Sequence, residues 1–321
     1  AKSKRWDIRL ISKKNEGKGA ALNDGLRAAK GEFFVCLDAD SFVEPKALRT
    51  ILPHFSDREV AAVLPLLKPK TCKGFVQNMQ WAEYLVNFFL KKIIGNLDCI
   101  HVTPGPFGSY RKSSLLAVHG FDENNLTEDL EMALRLQSHN YKIIQLLSTE
   151  VRTITPKTLP SLYRQRNRWY KGTLLNLFKH KNLIFNRAYG ELGVFHLPMV
   201  VTAAFLSLMF AFFVAYQSTL LPLVEKLRDA GFIGFDFPFM MHNWRSSFSM
   251  LDFNFMLIFF TVSIFIFAFL WILLAHKHAR ESFVKKGIFP TLLFMTFYPF
   301  FLSFVWIGVV TDLARGKRQR W

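Results

Sequence analysis

The pattern of apolar and polar positions changes character along this chain. Up to about residue 154, short apolar runs alternate with amphipathic stretches. Residues 8–11 predict a short strand, and residues 20–30 a helix ended by Gly31. Residues 33–37 form an apolar run of strand length, entered after that glycine. Residues 45–55 predict a helix with Pro45 in its tolerated first turn, and 60–66 and 142–147 predict two further strands. Such alternation predicts an α/β, doubly wound domain that binds ligands beyond the carboxyl ends of its strands. Residues 79–94 are apolar but interrupted by Glu83 and Asn87, which predicts a helix at the domain or membrane surface rather than a span.

Three later runs, 193–217, 254–275 and 288–310, each reach the ~20 apolar residues that cross a bilayer. The first holds only His196 as a group that titrates near neutral pH, and the others hold none. Between the two halves, 155–192 predict amphipathic interfacial helices, since residues 152–190 carry nine Lys or Arg and no acid. The expected organisation is therefore 1–154, an α/β domain; 155–192, an interfacial linker; and 193–321, a multi-pass membrane region. The positive-inside bias puts the basic linker, and with it the α/β domain, on the cytoplasmic side of the cell membrane. The first run then leads out and the second back, so Lys277, Arg280, Lys285 and Lys286 fall inside. A full crossing by 288–310 puts Arg315, Lys317, Arg318 and Arg320 outside, against the bias, while Pro290 and Pro299 leave a re-entrant shape open.

Composition sharpens this picture. Of 321 residues, 51% are hydrophobic and 35 are Phe, which argues against a water-soluble globule. The net charge is +17, of which residues 1–192 hold +12 (30 basic, 18 acidic). Beside three apolar runs, that charge favours anionic lipid or a phosphorylated substrate. Nucleic acid is not expected as a partner, because no recognised module appears. Three cysteines without C-x-x-C spacing predict neither a disulfide framework nor a zinc site, and suit a reducing cytosolic face.

Four motifs carry candidate chemistry. Asp38-Ala39-Asp40 follows the strand at 33–37, and two carboxylates there suit a hard divalent cation bridging to phosphate oxygens. Thr127-Glu128-Asp129 opens a helix to about residue 138; Thr127 is a good N-cap, and one of the two acids can instead serve as a general base. Gln165-Arg166-Asn167-Arg168-Trp169 lies in the basic linker. On a helical wheel from Leu162, Arg168, Gln165 and Trp169 fall at about 240°, 300° and 340°, one strip with Trp169 at the apolar border. Arg166, at about 40°, breaks the pattern. Arg168 suits a diphosphate clamp and Trp169 a sugar-stacking ring, although an interfacial basic face explains them too. Lys14-Asn15-Glu16-Gly17-Lys18-Gly19 precedes a helix and can approach phosphate there, and Gly105-Pro106-Phe107-Gly108 is a turn or an acceptor loop. His101, His119, His139 and His180 have no ligand spacing and are expected to be structural or surface residues.

In this order, Asp38-Ala39-Asp40, Thr127-Glu128-Asp129 and Gln165 to Trp169, followed by apolar spans, resemble the processive family 2 glycosyltransferases. These are the membrane synthases of cellulose, chitin, hyaluronan and poly-N-acetylglucosamine. The segment from Gly316 to Trp321 is most similar to the poly-N-acetylglucosamine synthases. The resemblance implies a GT-A-like fold and a UDP-sugar donor, with UDP-N-acetylglucosamine favoured. It also implies a polysaccharide acceptor and an inverting mechanism. By the same resemblance Asp40, with Asp38, would hold Mg²⁺ or Mn²⁺; Asp129 would be the base; Glu128 would bind substrate; Gln165 and Arg168 would contact the diphosphate and Trp169 the acceptor. Lys18 would lie near the nucleotide and Gly105 near the acceptor end. Such enzymes have an earlier acidic strand end that grips uracil, and membrane helices before it. Neither is in this sequence, so a missing N-terminal part is expected. A non-processive transferase that adds one sugar to a membrane lipid shares the α/β domain and the Asp-x-Asp pair and is the alternative.

Overall fold

The computed structural model describes residues 8–232, 255–279 and 288–316. Strands β1 (Phe33–Val35), β2 (Ser41–Val43), β3 (Val60–Pro69), β4 (Ser109–Arg111) and β5 (Lys142–Thr153) form one sheet in the order β1-β4-β3-β5-β2. β3 and β5 pair in parallel and the other neighbours antiparallel. The sheet is thus mixed, with helices on both faces. Along β3, Ala62 and Leu64 enter one cluster with Leu26, Ile100 and Leu134, while Val63 enters another with Ala47, Ile51 and Phe55. That is the period-two alternation of a strand buried on both sides.

The helices of this part are α1 (Lys18–Ala28), α2 (Ala47–Ile51), α3 (Gly74–Gly95), α4 (Lys112–Ala117), α5 (Glu128–Ser138) and α6 (Leu159–Lys179). The expected helix at 45–55 is split: α2 passes at Leu52–Ser56 into a 3₁₀ turn. Residues 8–11 form no strand; Ile8 and Leu10 are 82% and 91% exposed and pair with nothing in the sheet. α3 keeps an exposed face that includes Asn87 and buries the other. On the buried face Gln77 Nε2 donates to the Thr155 carbonyl and Gln80 Nε2 to that of Pro156. Glu83 is ion-paired with Arg166 of α6.

Beyond α6 come α7 (Leu197–Ala215), α8 (Leu221–Phe232), α9 (Phe255–His278), α10 (Ile288–Thr296) and α11 (Tyr298–Ala314). Two helical stretches, Leu192–Phe213 and Ile258–His278, are long and apolar enough to cross a membrane. The pair α10 and α11 is bent by 42° and makes a third candidate if taken as one span. The bend falls where Pro299 opens α11. α7 and α9 are apolar on all sides and expose Phe205, Phe212, Phe259 and Phe267, a surface suited to lipid. The basic positions Arg280, Lys285, Lys286 and 317–321 lie outside the described residues.

Candidate active site

The antiparallel β1–β4 pair sets the first half of the site. Val35 pairs with Ser109, and the Cys36 amide donates to the Gly108 carbonyl. The chain leaving β1 therefore runs beside the chain entering β4, which carries Asp38 up to the Gly105 turn. A Cβ on Gly105 would lie 2.4 Å from Lys18 Nζ and 3.0 Å from Asp38 Oδ2, so any larger residue there would have to displace the Lys18–Asp38 pair. Lys18 opens α1, whose position is set by the loop before α5: Asn23 donates to the Phe121 carbonyl and accepts from its amide. Gly19 sits directly against the Asp122 carbonyl. Lys18 Nζ thereby reaches Asp38 Oδ1 at 2.8 Å and Glu128 Oε1 at 3.2 Å.

α5 and α6 set the second half. Thr127 is the N-cap residue of α5, but its side chain makes no cap hydrogen bond. Its Oγ1 instead accepts from Asn176 Nδ2 of α6 at 3.0 Å. Asn176 and Asn125 exchange amide hydrogen bonds in both directions. Gly172 lets the two elements touch, because a Cβ there would lie 2.3 Å from Thr127 Oγ1. Farther along, Glu131 of α5 is fully buried and meets Lys179, His180 and Arg135. The start of α5 is thus clamped to the helix that carries Arg168.

Electrostatics follow from this burial. Desolvation raises the Glu128 carboxyl, the adjacent Asp129 adds repulsion, and Lys18 works against both. Asp129 is raised above the ordinary carboxylate value by burial, opposed by Lys18, Lys91 and Arg168. Burial lowers Arg168, while Glu128, Asp129 and Asp38 favour its charge. The Asp129 carbonyl accepts from both the amide and the hydroxyl of Thr103, which fixes its backbone.

Of the residues singled out from sequence, Lys18, Asp38, Gly105 and Glu128 are in direct contact, and Asp129 and Arg168 share their field. Asp40 is exposed and accepts from the Ser41 hydroxyl at 3.3 Å. Gln165 and Trp169 gather around Arg166 instead. Sequence reading missed Lys91, whose ammonium is lowered to about 8 by burial against the pull of Asp129. It also missed the contact of His101 Nδ1 with the buried His196 Nε2, 2.6 Å apart. The Lys91-Lys92 pair inside an apolar stretch was the one signal for the former.

Asp38 and Asp40 supply hard oxygen donors at a strand end. Among the described residues, no group of three or more His, Cys, Asp or Glu is placed to hold a metal alone. That suits an ion held by one or two carboxylates and completed by substrate phosphates, the usual habit of Mg²⁺.

The sequence profile of the family "Glycosyl transferase family group 2" matches residues 33–279. Poly-beta-1,6-N-acetyl-D-glucosamine synthase of Staphylococcus aureus (strain COL) is 28% identical over 162 residues, 49% of this chain and 39% of that protein. The synthase of the same name from Staphylococcus epidermidis has the same identity and coverage. The chain therefore spans about two fifths of the length of these curated relatives. Among solved structures, the mannosyltransferase PcManGT from Pyrobaculum calidifontis, in complex with GDP-Man and Mn²⁺, is 18% identical with a TM-score of 0.48, covering 71% of this chain and 62% of that one. Staphylococcus aureus TarS 1-349 is 16% identical with a TM-score of 0.35, covering 95% and 74%.

Proposed function

Because this chain belongs to glycosyl transferase family group 2, we propose that it is a membrane-embedded, inverting, processive β-glycosyltransferase. It extends a polysaccharide from a UDP-sugar donor at the cytoplasmic face. The observation that carries this reading is the junction of Lys18 with Asp38 and Glu128, in one field with the Asp129 carboxylate and the Arg168 guanidinium. It combines an anion-accepting pair of cations with a carboxyl whose affinity for protons is raised. UDP-N-acetylglucosamine is favoured as donor by the named activity of the staphylococcal relatives.

In this mechanism an acceptor hydroxyl attacks the anomeric carbon from the face opposite the diphosphate, and configuration inverts. Asp129 takes the hydroxyl proton; burial makes it a stronger base than a solvated carboxylate. Arg168, planar and always charged, faces the departing diphosphate, with Lys18 as a second cation. Asp38 and Asp40 would hold the divalent ion, Mg²⁺ or Mn²⁺, which would supply Lewis-acid stabilisation of the leaving group when bound. Gly105 leaves the backbone open beside the reacting centre, and Trp169 offers its ring to the acceptor sugar with Gln165 beside it.

The test uses the whole protein in nanodiscs with Mn²⁺ or Mg²⁺ and UDP-N-acetylglucosamine, UDP-glucose or UDP-glucuronate, reading UDP release and product size. A long polymer from one donor is expected. A product of one sugar on a lipid would replace this reading with single transfer, and no turnover of any donor would remove both.

A further inference from the structure

Arg166 interrupts the apolar side of α6, beside the polar strip, and is fully buried. Every polar atom of its guanidinium is engaged. Nε donates to Glu83 Oε1 of α3 at 3.0 Å and to the Tyr298 hydroxyl of α11 at 3.0 Å, and Nη2 donates to Glu83 Oε2. Nη1 donates to Gln165 Oε1 at 2.6 Å, and the guanidinium lies 4.1 Å from the centre of the Trp169 ring. One side chain thus touches both non-arginine members of the strip and ties them to two other helices. The α6–α11 contact continues in the stacking of Tyr170 on Trp306, with ring centres 4.9 Å apart, and in the close approach of the Tyr163 hydroxyl to Gly308.

We propose that Arg166 is a positioning residue that sets the pose of Gln165 and Trp169 and makes acceptor engagement depend on the docking of α11 against α6. Three features fit this role better than that of a simple structural ion pair. A bidentate carboxylate fixes the plane of the guanidinium, not only its place. The plane so fixed faces Trp169, so the ring cannot turn without losing a desolvated cation–π contact. The remaining Nη1 holds the oxygen of Gln165 and leaves its amide group to point elsewhere. Tyr298, at the bend between α10 and α11, enters the same hub, so a shift of that bent pair is felt at Trp169. The acceptor assignment rests on the functional reading above, whereas the positioning of Trp169 does not.

Arg166→Lys tests this, because an ammonium keeps the charge opposite Glu83 but loses the plane and the fork. In the whole protein in nanodiscs, this variant should raise the acceptor KM by about tenfold and the UDP Kd by a smaller factor, through the loss of the Gln165 pose. Acrylamide quenching of Trp169, isolated as the difference between proteins with and without Trp169→Phe, should rise. Tyr298→Phe keeps the ion pair and should move both readouts the same way by a smaller factor; it carries the test if Arg166→Lys does not fold. Unchanged quenching together with unchanged acceptor KM in a folded variant overturns the proposal. If the parent protein turns over no donor, the functional reading falls and quenching alone decides the positioning role.

Discussion

Asp129 is placed where its charge is costly and useful at once. Its folded-state proton affinity is raised, by burial first, so its charged form is less stable in the fold than in water. A group of this kind contributes stability below its unfolded value, and that contribution is lost as pH rises through the folded value. At neutral pH the carboxylate therefore costs stability. Asp129→Asn should abolish turnover yet leave the melting temperature unchanged or higher, with UDP binding retained; residual turnover near the parent rate would remove its role as base. The same shift predicts that kcat/KM of the parent falls on the acid side at a pH above the ordinary range of a solvated Asp. The profile belongs to the Glu128–Asp129 pair, because the two carboxyls repel each other.

At the scale of elements, the contact between α6 and the start of α5 depends on Gly172. A mid-helix Gly→Ala change normally gains up to about 1 kcal/mol of helix stability. Here the new methyl would lie 2.3 Å from Thr127 Oγ1 and 2.9 Å from its Cβ, within a buried and β-branched side chain. Overpacking of that kind costs about 1–3 kcal/mol and outweighs the propensity gain. Gly172→Ala should thus lower the melting temperature and reduce kcat, since Arg168 moves away from Glu128 and Asp129; a stabilised variant with full kcat would show that the clamp is not needed. The α3–α6 contact depends on Glu83 and Arg166. Glu83→Leu alone strands a buried guanidinium and should cost about 3–5 kcal/mol, while Glu83→Leu with Arg166→Met should recover most of it. A chemical-denaturation cycle in detergent measures this. The double variant should still use acceptor poorly, which separates the stability of the pair from its positioning role.

For the whole molecule, the distribution of charge and exposed apolar surface sets a topology that can be checked. Arg152, Lys157, Arg164, Lys179, Lys181 and Arg187 are exposed ahead of the first candidate span, and such clusters stay on the cytoplasmic side. Phe185 precedes that span and Leu220 follows it, at 76% and 56% exposure. With Cys72 replaced, Leu220→Cys should react with an impermeant maleimide on intact cells, and Phe185→Cys only after lysis. The reverse pattern would invert the proposed orientation. The 42° bend between α10 and α11 adds a constraint, because it brings Tyr298 to the Arg166 hub while the apolar faces of α7 and α9 remain outward.

Sequence alone determined what local physics specifies. Apolar runs of strand length marked β3 and β5, an amphipathic stretch closed by glycine marked α1, and runs of about 20 apolar residues marked the membrane-length helices, because burial and lipid contact act on each stretch locally. The prolines marked the break in residues 288–310. The carboxylates at 38, 40, 128 and 129 and the strip from 165 to 169 stood out through residue type and spacing. Tertiary structure decided which partner each group meets. Lys18 is shared between Asp38 and Glu128, Thr127 bonds to Asn176 instead of capping its own helix, and Glu83 turns from a surface interruption into the buried partner of Arg166. Each of these joins residues far apart in the chain. No periodicity records which distant group satisfies a buried charge, so only the folded packing could assign them.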